Sequence, residues 1–429
     1  MEPDKYIFYD ETISMCEIDD CLKLIPTKII IQDNNVFYLK YCSAHGYQKT
    51  LISTDVEYYK KCRDITTSSN RPKNPLRAVN KGCPYDCGLC SEHEQHSAMA
   101  IVEIIEECNL GCPTCIANSH IGAGKAKSLQ TVQAMFETLL KYDDNPDLVM
   151  ISGGEPTIHP QFMKIMQLAY SMPFKRIMLI TNGIKIAEDL ELVERLSLLR
   201  DRLEIYLQFD SLRGNVLENI RGVDLRAIRV KSVENLEKHE LHSALICVVK
   251  KSLNEFDMGN VIRFALQYEY IRGVTFQPCK ITGRNLSFEK ESNYITLSEV
   301  RSNILTTFED VPSHEFIPHP LNPENISIAY FLKEANSLVP ITNHLLYSHT
   351  SLKKPKSPFP YAHEFKRQMY FLPHLNHGAI KYEDLFRVSI VSFLDKYNFC
   401  IKSVKRSCIH FVTETGEIIP LDTYYLLYN

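Results

Sequence analysis

Six cysteines in two short loops constrain this chain more than any other feature. KGCPYDCGLC supplies Cys83, Cys87 and Cys90, and ECNLGCPTC supplies Cys108, Cys112 and Cys115; both follow C-x3-C-x2-C. That spacing could also put three side chains on one helix face. Local sequence argues against a helix, because Pro84 and Gly88 interrupt the first triplet and Gly111 and Pro113 the second. A loop that aims three thiolates at one point is a metal or cluster site, and three are one short of what a four-iron cluster needs. At an ordinary cluster a distant fourth ligand completes the set. At a catalytic cluster the fourth iron stays open, by the logic of open zinc sites.

Composition sets the frame for these loops. The chain has 429 residues, 14 cysteines and no tryptophan, with 45% hydrophobic and 23% charged residues. That is ordinary globular composition and excludes a disordered chain. Forty-eight Lys+Arg against 52 Asp+Glu leave a net charge of −4, which argues against a partner made of nucleic-acid phosphates or an anionic membrane. No apolar run reaches the roughly 20 residues of a bilayer span. The start, MEPDKYIFYDE, is acidic and polar where a secretory signal is basic and then apolar. The expectation is a cytoplasmic protein, in a compartment that turns clustered cysteines toward metal rather than disulfides.

Four stretches follow one another. Residues 1–62 alternate apolar and polar, with hairpin-turn chemistry at Asp33-Asn34-Asn35. Residues 63–98 hold a polar, proline-containing linker (63–80) and the first triplet. Residues 99–285 alternate strand-like runs with amphipathic helices such as 128–142 and 187–199; the strands read as 102–107, 147–154, 176–183, 203–211, 244–250 and 273–279. Such a series means βαβ units and a parallel sheet or barrel. Residues 286–429 are less regular, with a proline-rich loop at 351–365 and short strands near 409–419.

The second triplet follows the first barrel strand, at the end where α/β barrels place chemistry. The next strand ends in Gly153-Gly154-Glu155-Pro156. Two glycines let backbone approach a ligand closely, proline stops the strand, and a glutamate accepts hydrogen bonds from an ammonium group. CNLGCPTC followed by SGGEP resembles the radical S-adenosylmethionine (radical SAM) superfamily. The resemblance implies that Cys108, Cys112 and Cys115 hold a [4Fe-4S] cluster whose open iron binds S-adenosylmethionine. One-electron reduction then cleaves that cofactor to a 5′-deoxyadenosyl radical. It assigns Gly153, Gly154, Glu155 and Pro156 to the cofactor amine, and makes Asn182, Gln208 and Asp210 ribose or substrate contacts. Thr114 stands where the family usually has an aromatic residue.

KGCPYDCGLCSEHEQH, CNLGCPTC, YLQFDS, GVTFQPCKITGR and FIPHP together resemble a narrower subfamily. It contains archaeal tetraether lipid synthases and hydroxymethylpterin methyltransferases. The fold class implied is α/β: a partial (β/α)6 TIM-type barrel over 99–285. An N-terminal rubredoxin or zinc-ribbon-like knuckle would precede it, and an irregular C-terminal α+β extension (286–429) would cover the barrel mouth. The knuckle would hold iron or zinc on Cys16, Cys21, Cys42 and His45, although C-x4-C is wider than usual and Cys62 is an alternative ligand. Leu321, Asn325 and Asp422 stand where the lipid synthases carry cysteines, so at least one of their auxiliary clusters is expected to be missing. Cys83, Cys87 and Cys90 are expected to hold a second iron–sulfur cluster, with Cys408 as the remote fourth ligand. His93 and His96 read as supporting or surface groups, and Cys247 and Cys279 as buried small hydrophobes.

The expected activity is hydrogen abstraction from a lipid or pterin-like small molecule, leading to C–C bond formation or methylation. The competing reading is a non-catalytic iron–sulfur or zinc protein for electron transfer or scaffolding, which has no use for GGEP or for the βα series. Nucleic-acid binding through the knuckle conflicts with the negative net charge. No flavin or nicotinamide fingerprint is visible, so the electron is expected from a ferredoxin or flavodoxin-type partner.

Overall fold

The computed structural model of the chain describes residues 5–18, 21–65, 71–72, 74–142, 148–286, 288–309, 311–334, 337–342 and 385–428. The proline-rich segment 351–365 and linker residues 66–70 and 73 lie outside the described residues.

β1 (Ile7–Met15), β2 (Leu24–Gln32), β3 (Asn35–Cys42) and β4 (Gly46–Ser53) form an antiparallel sheet in chain order. Asp33 and Asn34 make the β2–β3 turn at positive φ, 49° and 56°, the geometry that matches strand twist in a tight hairpin. Ile29, Val36 and Tyr38 pack against Val56 and Tyr59 of α1 (Val56–Asp64). The Asp55 carboxylate caps that helix by accepting from Tyr58 N at 2.9 Å.

The centre is a parallel series. β5 (Met99–Glu103), β7 (Leu148–Ser152), β8 (Arg176–Thr181), β9 (Leu203–Gln208), β10 (Ser243–Val249) and β11 (Ile271–Pro278) lie side by side in chain order. β6 (Thr114–Cys115) stands apart from this sheet. The connecting helices are α2 (Leu129–Tyr142), α3 (Phe162–Ser171), α4 (Ile184–Glu188), α5 (Leu190–Ser197), α6 (Gly214–Arg221), α7 (Arg226–Lys238) and α8 (Met258–Leu266). The pattern at 187–199 becomes two helices because the Asp189 carboxylate starts α5 afresh, accepting from Leu192 N at 3.0 Å.

The first strand ends earlier than its apolar run suggests. Beyond Glu103 the carbonyl of Ile104 accepts from Lys127 N and that of Ile105 from Gly154 N. The chain thereby leaves the ladder and lays the second cysteine loop across the end of β7.

Residues after 286 do not form a separate unit. β12 (Arg284–Asn285) lies just before them; they add β13 (Ile317–Pro318), β14 (Ile326–Glu334), β15 (Ser337–Pro340), β16 (Leu385–Val391), β17 (Ile409–Val412) and β18 (Ile418–Pro420). β16 runs parallel beside β11 and β17 parallel beside β5, extending the parallel run at both edges. β14 and β18 close those edges in antiparallel sense. The ends of the sheet do not pair with each other among the described residues, so the barrel is partial.

Alternation along each strand divides the core. Ala100, Val102, Val149, Ile151, Ile177 and Leu179 pack outward on the helices. Met99, Ile101, Met150 and Ile180 point inward and line a cavity of about 260 Å³. No helix among the described residues is long and apolar enough to cross a membrane.

Candidate functional site

The inner cavity opens at the C-terminal ends of the parallel strands. Its wall includes Thr114, Cys115, Ser152, Gly153, Gly154, Glu155, Gln208, Arg221, Gln277, Lys280 and Tyr425 among mostly apolar side chains. Cys108, Leu110 and Cys112 pack with Leu217 of α6 and Leu225, with Cys115 and Ile228 beside them. Cys115 lines the cavity itself, and Cys108 and Cys112 belong to the apolar cluster beside it.

Four devices fix this loop. Arg284 is the strongest: its Nε donates to Cys112 O at 2.8 Å, Nη2 to Ser119 O at 2.6 Å and Nη1 to Asn118 Oδ1 at 3.1 Å. β12 pairs antiparallel with β6, setting Arg284 opposite Cys115. Gly283 has φ 66°, and a Cβ there would lie 2.2 Å from Ile116 O. Leu110 N donates to the Cys108 sulfur at 3.4 Å. Burial pushes the Cys108 thiol up to about 12, so this sulfur ionises on binding metal rather than before it.

Gly153 and Gly154 are required by close approach. A Cβ on Gly153 would meet Ile105 O at 2.2 Å, and one on Gly154 would meet Glu107 O at 2.3 Å. The Glu155 carboxylate is buried and accepts four hydrogen bonds: from Thr157 N (3.1 Å), the Thr157 hydroxyl (2.6 Å), the Thr181 hydroxyl (2.7 Å) and Asn182 N (2.7 Å). It ties the end of β7 to the end of β8, and Pro156 continues behind it as the first residue of a short 3-10 turn. Asn182 Nδ2 donates to Asn109 Oδ1 at 2.6 Å and lies 3.9 Å from the Cys108 sulfur. Asp210 holds Arg221 in a bidentate pair at 2.7 and 2.8 Å, and Arg221 rather than Asp210 faces the cavity.

The first triplet has different surroundings. Cys83, Cys87 and Cys90 line a cavity of only about 10 Å³ with Gly88, Leu89, Glu92, His93, Lys405 and Pro420. The Asp86 carboxylate anchors the loop by accepting from Asn80 N at 2.7 Å and Gly82 N at 2.8 Å. The Tyr428 hydroxyl fastens it from the far end of the chain, accepting from Cys87 N at 3.0 Å and donating to Pro84 O at 2.9 Å. Cys408 is not among the residues lining this cavity; it is buried with Met99, Ile101 and Leu421, and burial pushes its thiol up to about 12. His93 is buried rather than at the surface. Its Nε2 lies 2.8 Å from Ser407 O and 3.0 Å from His410 Nε2, and burial pulls its pKa down to about 4.

In the N-terminal sheet, Cys16, Cys21, Cys42 and His45 bring their ligand atoms all within 4.8 Å of one another. His45 Nδ1 lies 3.4 Å from the Cys16 sulfur and 3.7 Å from that of Cys42. Backbone N–H groups, led by Ala44, hold the Cys42 thiol down at about 6. This is the compact donor set of a single tetrahedral ion. Cys62 belongs elsewhere, buried on α1 beside a small cavity with Tyr58 and Tyr59. Among the described residues neither triplet brings its ligand atoms that close together.

Sequence reading passed over Arg221, Lys280, Arg284 and Tyr425. The signal for two of them was present in QPCKITGR, whose roles become visible only when β12 is seen lying against the cysteine loop.

Residues 102–265 match the family model of the radical SAM superfamily, and residues 8–54 match the HMPTM N-terminal zinc ribbon domain. The chain is 28% identical to the 7,8-dihydro-6-hydroxymethylpterin dimethyltransferase of Methanocaldococcus jannaschii, over 98% of this chain and 94% of that protein. It is 24% identical to the GTP 3′,8-cyclase of Pasteurella multocida, over 38% of this chain and 48% of that one. It is 26% identical to the mycofactocin maturase MftC of Mycobacterium ulcerans, over 39% and 43%. The cysteine loop at the end of the first parallel strand, the glycine pair beside it and these matches agree: the chain is an enzyme that carries a radical SAM domain at residues 102–265 behind a zinc ribbon domain at residues 8–54.

Proposed function

We propose that this enzyme methylates a small pterin-like ring, using carbon-centred radical chemistry in the 260 Å³ cavity. Cys108, Cys112 and Cys115 would hold a [4Fe-4S] cluster, and Gly153, Gly154, Glu155 and Pro156 would seat the amine of S-adenosylmethionine beside it. When bound, that pair supplies one-electron cleavage of the cofactor to a 5′-deoxyadenosyl radical. The protein's own residues do the rest. Arg284 keeps the cysteine loop in place, Glu155 holds two strand ends together, and the inward Met, Ile and Val side chains keep water from a reactive carbon. Gln208, Gln277 and Lys280 provide polar groups that can orient a ring bearing amide and amine edges.

The observation that carries the pterin reading is the similarity to the M. jannaschii dimethyltransferase along nearly the whole length of both chains. Leu321, Asn325 and Asp422 favour it over lipid coupling, because cysteines of the coupling enzymes are replaced there. The first triplet is assigned a second iron–sulfur cluster, the N-terminal four a zinc or iron ion, and a ferredoxin or flavodoxin-type protein the supply of electrons.

The test is anaerobic incubation of reduced, iron-loaded protein with S-adenosylmethionine, 7,8-dihydro-6-hydroxymethylpterin and a methylene-folate-type donor. The expected products are 5′-deoxyadenosine and a pterin heavier by methyl units. Release of 5′-deoxyadenosine with an unaltered pterin rejects the substrate. No release above a Cys112→Ala control rejects the cofactor assignment.

A further inference from the structure

We propose that Arg229 is the charge-compensating group for the cluster held by Cys108, Cys112 and Cys115, and that it raises that cluster's reduction potential. The inference rests on the radical SAM assignment and concerns a residue outside the motifs that define it.

Arg229 lies on α7 and is 1% exposed. Its Nε, Nη1 and Nη2 are all buried, and none has a hydrogen-bond partner among the described residues. Burial pulls the group down to about 10 against the opposing pull of Asp210, then of Cys112 and Glu155, so it keeps its charge at neutral pH. A buried cation whose nitrogens make no hydrogen bond costs several kcal/mol, and folded proteins rarely leave one without a hydrogen-bonded anion of its own. The nearby carboxylates are already engaged. Asp210 gives both oxygens to Arg221. Glu155 gives its oxygens to Thr157, Thr181 and Asn182.

What faces this part of α7 is the cysteine loop. Leu225 and Ile228, four residues and one residue before Arg229, pack with Cys108, Cys112 and Cys115. Gly222, just before them, would place a Cβ 3.3 Å from Pro113 Cδ. Three thiolates on a dipositive four-iron core leave one net negative charge, and a reducing electron adds a second. Arg229 thus meets an anion when the cluster is in place, and it favours the reduced cluster over the oxidised one because that anion is stronger.

The experiment is a mediated dithionite titration of full-length, cluster-loaded wild type, Arg229→Met and Arg229→Lys. It is followed by the EPR signal that S-adenosylmethionine perturbs, which isolates this cluster from any other. At a fixed solution potential the ratio of reduced to oxidised cluster is expected to fall about tenfold in Arg229→Met, about 59 mV for one electron, and to stay near wild type in Arg229→Lys. Cluster-free Arg229→Met is expected to melt above cluster-free wild type, because an unpaired buried charge is gone. Loss of the cluster in Arg229→Met but not in Arg229→Lys also supports the role of charge. An unchanged potential in Arg229→Met, or equal cluster loss in both variants, overturns the proposal. A missing response to S-adenosylmethionine in wild type would instead overturn the cofactor assignment.

Discussion

The two cysteine triplets share one spacing and differ in everything around it. Cys115 lines a 260 Å³ cavity, and Cys108 and Cys112 share its loop, stapled by Arg284 and packed against Leu217 of α6 and Ile228 of α7. Cys83, Cys87 and Cys90 enclose about 10 Å³ beneath Lys405 and Pro420, with Tyr428 tied across the loop. Spacing puts three cysteines on one short loop; the neighbouring elements decide how much space lies beside them. A cluster beside a cavity of cofactor size can bind a cofactor, whereas one with room for little more than a water molecule beside it is suited to carrying electrons or bracing the fold.

The largest expected effect separates the triplets directly. Cys112→Ala is expected to reduce 5′-deoxyadenosine release to background while Cys83→Ala retains it, as chromatography of anaerobic assays would show; equal loss in both would erase the distinction. Gly154→Ala comes next. Its Cβ would sit 2.3 Å from Glu107 O, so we expect destabilisation of about 1–3 kcal/mol and at least about tenfold weaker S-adenosylmethionine binding by calorimetry. The same substitution at Gly88 meets nothing nearer than Arg77 Cδ at 3.5 Å, although φ 144° strains the first loop's own backbone, and is expected to leave cofactor binding unchanged.

His93 sharpens the comparison from the sealed side. Burial holds its folded pKa near 4, against an ordinary value of 6.5. The unfolded chain therefore binds the proton first, and stability is present above pH 6.5 and lost as pH falls through 4, by about 3 kcal/mol. Denaturant melts between those pH values should show this slope in wild type and a shallower one in His93→Asn. The smallest effect is Arg284→Lys, which keeps the charge but loses the planar fork. A loss of about 1 kcal/mol at the loop should show as a severalfold fall in turnover with the melting temperature nearly unchanged. An unaltered rate would mean that β12 alone holds the loop.

Much of this was legible in the chain because the signals were local. The Asp33-Asn34-Asn35 turn, the β-branched runs and the cysteine loops each depend on neighbours a few residues away. What escaped reading depends on distant pairing. LFRVSIV at 385–391 is too short to declare itself a parallel strand, and it becomes one only beside β11. Arg284 looks like any loop arginine until β12 meets β6, about 170 residues earlier in sequence, as the separation of Arg284 from Cys112 shows. The burial of His93 is set by His410 and Ser407, more than 300 residues away.

The most direct test is EPR of reduced Cys83→Ala and Cys112→Ala, each recorded with and without S-adenosylmethionine. The account predicts that the cofactor shifts the signal in Cys83→Ala and leaves Cys112→Ala unmoved. A shift in Cys112→Ala, with none in Cys83→Ala, would place the cofactor at the sealed triplet and contradict it.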